Sequence, residues 1–433
     1  MMSFLGIADT TELFDDIPAS VRMDRSLGLQ RAMSEIELER HMQQLARKNV
    51  DFTQITSFLG AGSYEHYIPS AVDALTSRSE FYTSYTPYQP EISQGMLQAI
   101  FEYQTVVSEL TGMDLANASM YDGPTALGEA GLVCCSHTRR NKLLVASSMH
   151  PEYRAVLETY AAGQAVEVVT VPQHDGLIDW EELDGLCDET VAGVLIQYPN
   201  FFGCIEDVQK IADLAHSRGA LLVVNTYPIA LGLLKAPGEL GADIAVAEGQ
   251  SLGNSMSFGG PYLGIMATRK ELMRKMPGRI VGQTVDGEGR RGFVLTLQAR
   301  EQHIRREKAS SNICSNQALN ALAATVYLAY LGKEGVRDVA LQNFHKAHYL
   351  HSQLSSLKGV RVSFTSPFFN EFVVHLSKPV AEVQDALLEQ GFLFGLELGR
   401  FYPDMNDAVL LNVTEMRTKS EMDTLCQTLE GIL

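Results

Sequence analysis

The chain has 433 residues, 45% of them hydrophobic and 20% charged, enough for a large domain plus a smaller one with ample core. A net charge of −18 with no lysine or arginine block to offset it argues against a nucleic-acid ligand. No apolar run approaches the roughly 20 residues that span a bilayer, and the acidic start MMSFLGIADTTELFDD lacks the basic-then-apolar order of a secretion signal. Six cysteines (134, 135, 187, 204, 314 and 426) show no framework spacing, so reduced thiols in a cytoplasmic protein are expected.

Residues 1–80 read as an arm. Ser34 and Glu37 make a capping-box pair that opens a helix to about residue 48. Residues 58–69 (FLGAGSYEHYIP) set aromatics on a glycine background, either as a packed surface loop or as the lining of a pocket or interface. In residues 80–91 (EFYTSYTPYQPE), Pro87 and Pro90 hold the backbone extended and fix where Tyr85, Tyr88 and Gln89 point. Rings on a stiff loop are poor core material and good ligand or partner material. Residues 92–111 follow as an amphipathic helix ended by Gly112.

From residue 113 strands and helices alternate. A turn at 121–124 starts a helix to about 140; strands at 142–147, 165–171, 191–197 and 220–225 are separated by helices opened by Pro151, Asp179 and Asp207. Short β-branched strands between helices predict a mainly parallel sheet covered on both faces, and a large α/β domain over 81–310. A helix over 316–331, stopped at Gly332, leads into strands near 360–364, 372–375 and 408–413 and helices near 380–390 and 419–429. That grammar predicts a smaller α+β domain over 311–433.

The most informative stretch is 241–264, GADIAVAEGQSLGNSMSFGGPYLG: a buried strand, a polar turn, a glycine-rich loop and a second strand. Enzymes that hold pyridoxal phosphate on a parallel α/β sheet present their Schiff-base lysine on such a turn. Here Gln250 and Ser251 stand in its place, and no lysine lies between Lys235 and Lys270. A carboxamide cannot form an imine. Asn225 ends the strand ALLVVN where an aspartate is needed to keep a pyridine nitrogen protonated, and His150 follows a strand where an aromatic stacks on the ring. His150, Asn225 and Gln250 thus outline a relic of a cofactor pocket, with no catalytic residue in this chain alone.

Other motifs carry less. Gly287–Gly292 matches G-x-G-x-x-G, but a strand follows where a dinucleotide site needs a helix, so it reads as a charged loop. The helix start at 121–125 could hold a phosphate, but Asp122 is placed to cap the same donors. Cys134, Cys135 and His137 do not converge on a metal, and His345, His348 and His351 spread over a helix face expected to be solvated; no metal site is expected. The run His303–Lys308 (HIRREK) reads as a solvated helix face or a basic patch for an anionic partner.

Five segments, SFLGAGSYEHYIPS, EFYTSYTPYQPEISQG, LTGMDLANASMYDG, FGGPYLG and REQHIRREKASSNICSNQAL, resemble the amino-terminal half of glycine cleavage system P-proteins. The resemblance runs almost end to end, and the chain length is similar to that of the first subunit of the two-subunit bacterial form. It implies a pyridoxal-phosphate-dependent transferase fold of the type I, aminotransferase-like kind. It also implies that the lysine and the pyridoxal phosphate belong to glycine dehydrogenase subunit 2. The assembly, expected as α2β2, would decarboxylate glycine and pass its aminomethyl group to the lipoyl arm of the H-protein. This chain would add a wall of the partner's pocket, and Tyr85, Tyr88 and Gln89 are the candidates for it. Two alternatives stay open: a stand-alone enzyme using Lys235, Lys270 or Lys308, and a purely structural subunit. The aromatic loops at 58–69 and 81–90 are expected to form an exposed apolar patch in the lone chain.

Overall fold

The computed structural model describes residues 1–23 and 25–433. They form two compact units, Met1–Gln54 and Ile55–Leu433. The first is built on helix α1 (Glu35–Ala46), where the predicted capping box is made: Glu37 accepts from the Ser34 amide and hydroxyl, both at 2.9 Å.

In the second unit the first long helix is α2 (Gln94–Thr111), closed by Gly112 at φ 67°, a left-handed position that suits glycine. Strand β1 (Leu115–Ala116) then enters a seven-stranded sheet with β2 (Lys142–Ala146), β3 (Glu167–Val171), β4 (Val191–Tyr198), β5 (Leu221–Thr226), β6 (Ile244–Glu248) and β7 (Gly264–Thr268). The spatial order is β1-β7-β6-β5-β4-β2-β3, parallel from β6 to β3, with β7 antiparallel to β6 and β1.

Alternation along the strands divides the core between the two faces. Leu143, Val145, Val223, Ile244 and Val246 pack with helices α3 (Gly123–Thr138) and α4 (Pro151–Ala162). Leu144, Ala146, Leu222, Val224, Ala245 and Ala247 pack with α5 (Val208–Ser217) and α2. Both faces are buried, which is why these strands read as continuous apolar runs.

A hairpin of β8 (Ile280–Val285) and β9 (Arg291–Thr296) follows. The G-x-G-x-x-G match lies at its turn, between two strands, so it is no dinucleotide loop. The hairpin is tied to α2 by Gln94, which accepts from the Phe293 amide at 2.8 Å and donates to the Phe293 carbonyl at 2.9 Å.

Helix α6 (Ala318–Ser355) breaks at Gly332 (φ 60°, ψ −175°) as its sequence suggests. It resumes beyond that point, because Val336, Ala340, Ala347 and Leu350 are buried on the main body. The predicted solvated face for His348 and His351 is corrected there. His348 stacks on Phe368 at 4.0 Å and His351 packs against the same ring at 4.8 Å. The chain ends in a four-stranded antiparallel sheet of β10 (Val360–Val362), β11 (Glu371–Leu376), β12 (Leu396–Glu397) and β13 (Ala408–Asn412), ordered β10-β11-β13-β12 and covered by α7 (Val380–Glu389) and α8 (Lys419–Ile432).

Candidate functional site

In an open α/β sheet the natural ligand site lies beyond the carboxyl ends of the parallel strands. Here Gln197 of β4, Asn225 and Thr226 of β5 and Glu248 of β6 come together there with His150, Tyr153, Tyr227 and, from the 58–69 segment, Gly62 and Tyr64. Of the three residues predicted from sequence to share a pocket, His150 and Asn225 line this one, whereas Gln250 is not among its lining residues and lies against the Tyr64 backbone.

The segment 58–69 crosses this end of the sheet and is not an exposed patch. Phe58 is fully buried, Tyr64 is 5% exposed and His66 is 9% exposed. Gln250 fastens it: its Oε1 accepts from the Tyr64 amide at 2.9 Å, and its Nε2 donates to the Tyr64 carbonyl at 3.0 Å and the Asn254 carbonyl at 2.9 Å. Glu371 fastens it again, accepting from the Ala61 amide at 2.7 Å and the Tyr64 hydroxyl at 2.9 Å. The sequence gives no hint of the third fastening. Glu415 accepts from the Tyr67 amide and pairs with His66 Nδ1, both at 2.8 Å, while His66 Nε2 meets the Tyr227 hydroxyl.

His150 is fully committed. Its Nδ1 accepts from the Glu152 amide at 3.2 Å and its Nε2 faces the Ala61 carbonyl at 2.9 Å, so the ring is the neutral Nε2–H tautomer. Burial lowers its pKa in the same direction. Tyr153 and Phe201 each lie 4.9 Å from the imidazole centroid, so the ring is already packed against two aromatic side chains of this chain. Asn225 is buried with no partner for its Oδ1, and its Nδ2 faces the Met149 sulfur at 4.0 Å. A carboxamide there cannot hold a pyridinium proton.

The start of α3 is closed from two sides. Asp122 caps it as expected, accepting from the Thr125 amide at 2.9 Å. Glu248, which sequence reasoning missed, accepts from the Gly123 amide at 3.0 Å, the Gln250 amide at 3.0 Å and the Leu263 amide at 2.9 Å. Burial pushes its carboxyl up to about 7 against those three donors. A helix start and a tight turn are the usual seat of an anion, and here the chain fills that seat with its own carboxyl group. A Cβ at Gly123 would meet the Tyr153 hydroxyl at 2.5 Å, so the fit is close. About 20 Å³ remains open beside these groups, the room of a single water.

These residues do not fit pyridoxal phosphate. The position where the sequence leads one to expect a lysine is a carboxamide locked to backbone, His150 is packed by two rings of this chain, and the amides that could seat an anion are taken by Glu248. Lys235, Lys270 and Lys308 are exposed and none lines the pocket, so the structure gives no stand-in lysine. Among the described residues no cluster of ligands could hold a metal ion, and no helix is long and apolar enough to cross a membrane.

Tyr85, Tyr88 and Gln89 do not line this pocket. They lie on a separate exposed segment, with Tyr85 82% and Tyr88 49% exposed. Pro87 is buried beneath them. The Tyr88 hydroxyl accepts from Arg279 at 3.3 Å.

Residues 1–429 match the family model described as glycine cleavage system P-protein. The chain belongs to the glycine cleavage system P-protein family. Within that family it is 57% identical over 433 residues to a Moorella thermoacetica protein described as probable glycine dehydrogenase (decarboxylating) subunit 1, covering 100% of this chain and 97% of the relative. It is 56% identical to a Brevibacillus brevis protein of the same description, with 100% and 96% covered. A crystal structure of the glycine decarboxylase (P-protein) of the glycine cleavage system, in inhibitor-bound form, superposes with a TM-score of 0.94 at 45% identity, covering 100% of this chain and 97% of that one. The fold extends to a Burkholderia pseudomallei sphingosine-1-phosphate lyase, TM-score 0.69 at 16% identity over 96% and 93% of the two chains. The P-protein chain therefore has the type I pyridoxal-phosphate-enzyme fold expected from its strand order, around a pocket that its own side chains close.

Proposed function

We propose that this P-protein chain is the subunit without the imine-forming lysine in a cytoplasmic glycine dehydrogenase (decarboxylating). In this reading glycine dehydrogenase subunit 2 holds the pyridoxal phosphate and supplies the lysine. The α2β2 assembly releases the carboxyl group of glycine as CO2 and transfers the aminomethyl group to the lipoyl arm of the H-protein. The observation that carries the reading is a full-length kinship to proteins named as subunit 1, combined with a carboxamide, Gln250, that stands where an imine lysine is expected and is bonded to backbone through both ends of its amide.

What this chain adds is a wall. Tyr85, Tyr88 and Gln89 stand on a proline-stiffened, exposed segment, so presenting them to a partner orders little further chain. Their hydroxyls and amide can donate hydrogen bonds to an anionic group while the rings keep water out. Losing one such bond to a charged group costs about 1.5–3 kcal/mol, roughly ten- to a hundred-fold in rate. Glycine–bicarbonate exchange by the assembled enzyme tests this with Tyr85→Phe, Tyr88→Phe and Gln89→Leu, assembly being verified by gel filtration. If all three assemble and keep full activity, the segment is scaffold and the role assigned to it is wrong.

A further inference from the structure

Behind that segment lies a buried cation without a counter-ion. Arg279 immediately precedes β8 and is 5% exposed. Its guanidinium makes one hydrogen bond among the described residues, from Nη2 to the Tyr88 hydroxyl at 3.3 Å, with the guanidinium carbon 5.5 Å from the centre of the Tyr88 ring. Its Nε is buried and makes no hydrogen bond. Among the described residues, arginine ion pairs are made by Arg22, Arg31, Arg78, Arg218, Arg290 and Arg417 and not by Arg279.

The neighbouring Arg300, whose Nε also lacks a partner, differs at its terminal nitrogens. It enters the same turn and turns its two terminal nitrogens onto the Met276 and Gly278 carbonyls. Arg279 finds no such carbonyls. A guanidinium presents five N–H donors in a planar fork and does not give up its proton. Buried charge of this kind is strongly unfavourable unless paired. The chain holds 52 aspartates and glutamates against 34 lysines and arginines, so a carboxylate would be easy to place here, and none is.

We infer that Arg279, with the Tyr88 hydroxyl, is an oxyanion site filled from outside the chain, and that its ligand is a phosphate group presented by the partner subunit. The inference rests on the partner-facing role proposed above for Tyr85, Tyr88 and Gln89. The free donors of the fork suit two oxygens of one oxyanion. A substrate carboxylate held this firmly would be stabilised in the ground state, which works against its loss as CO2. A phosphate group is not consumed, so tight binding carries no such penalty.

The test begins with the purified full chain and inorganic phosphate, followed by calorimetry and phosphorus NMR line width. Wild type is expected to bind phosphate saturably. Arg279→Met should weaken binding roughly tenfold or more and Tyr88→Phe by less, as for loss of a charged against a neutral partner. The melting temperature of Arg279→Met should stay level or rise, because an uncompensated charge has been removed; a cation that served packing would give the opposite. In the assembled enzyme, Arg279→Met should weaken uptake of pyridoxal 5′-phosphate and leave that of pyridoxal unchanged. The inference is overturned if wild type takes up no phosphate, or if the variant melts lower with phosphate binding intact. It is equally overturned if the variant loosens subunit association without changing uptake of either cofactor form, since the counter-ion is then a partner carboxylate. The phosphate titration reads Arg279 without any glycine chemistry, so its failure is distinguishable from failure of the proposed reaction.

Discussion

Replacing Gln250 by leucine removes one acceptor and two donors from a site 2% exposed and leaves the shape almost unchanged. Three backbone groups then lose their partners: the Tyr64 amide at 2.9 Å, the Tyr64 carbonyl at 3.0 Å and the Asn254 carbonyl at 2.9 Å. A buried polar group left unsatisfied costs about 1–3 kcal/mol, and part of the loss is recovered by the added apolar contact, so the crossing segment should be loosened by about 3–5 kcal/mol. At about 1.4 kcal/mol per factor of ten, protection of the Tyr64 amide against hydrogen exchange should fall roughly hundred- to several-thousand-fold. The Phe58 amide, bonded to the Leu393 carbonyl at 2.8 Å at the far end of the segment, is the internal reference and should change less. Gln250→Lys keeps the donors and loses the acceptor, so it should fall between wild type and Gln250→Leu. Native-state exchange by mass spectrometry reads all three. A loss of protection below tenfold at Tyr64 in Gln250→Leu would show that the carboxamide does not hold the segment down.

Borohydride reduction of the isolated chain with pyridoxal phosphate, followed by peptide mapping, should yield no stoichiometrically labelled lysine; one labelled peptide at Lys235, Lys270 or Lys308 would revive the stand-alone reading. Burial holds the Glu371 carboxyl at about 7 against an ordinary 4.5. The folded chain therefore keeps a proton that the unfolded chain releases, and this group makes stability fall as pH rises between those values. Glu371→Gln can keep the bonds to the Ala61 amide and Tyr64 hydroxyl and should flatten that fall in urea midpoints; an unaltered slope contradicts the argument. Tyr82, Tyr85 and Ile92 are 68%, 82% and 82% exposed, so the lone chain should self-associate through this face, and Tyr85→Ser with Ile92→Ser should shift light scattering towards monomer.

Much of this architecture is legible in the sequence because its determinants are local. Asp122 caps the helix it precedes, Gly112 closes the one before it, and Val, Ile and Leu runs between helices mark a sheet covered on both faces. The turn that carries Gln250 is legible for the same reason, since it lies between two recognisable strands. Partnerships across the fold are not. Glu248 meets Gly123 only because β6 ends beside the start of α3, and His66 meets Glu415 across almost the whole chain. His348 and His351 look solvated until Phe368 arrives from another segment. Nothing in MPGRIVG distinguishes Arg279 from a surface arginine; its isolation exists only in three dimensions.

The carboxyl group of Glu248 on the Gly123, Gln250 and Leu263 amides makes the pocket self-liganded, and under the proposed function this bears on how a division of labour between subunits would be kept. A lysine arising at position 250 would find the anion seat already filled and no cofactor to engage. A smaller residue arising at position 248 would free the three donors and leave nothing to tether a cofactor covalently. Either change alone loosens a buried network and gains no chemistry. The two locks therefore guard each other, and under the proposed function dependence on a catalytic partner would be a one-way step for this chain.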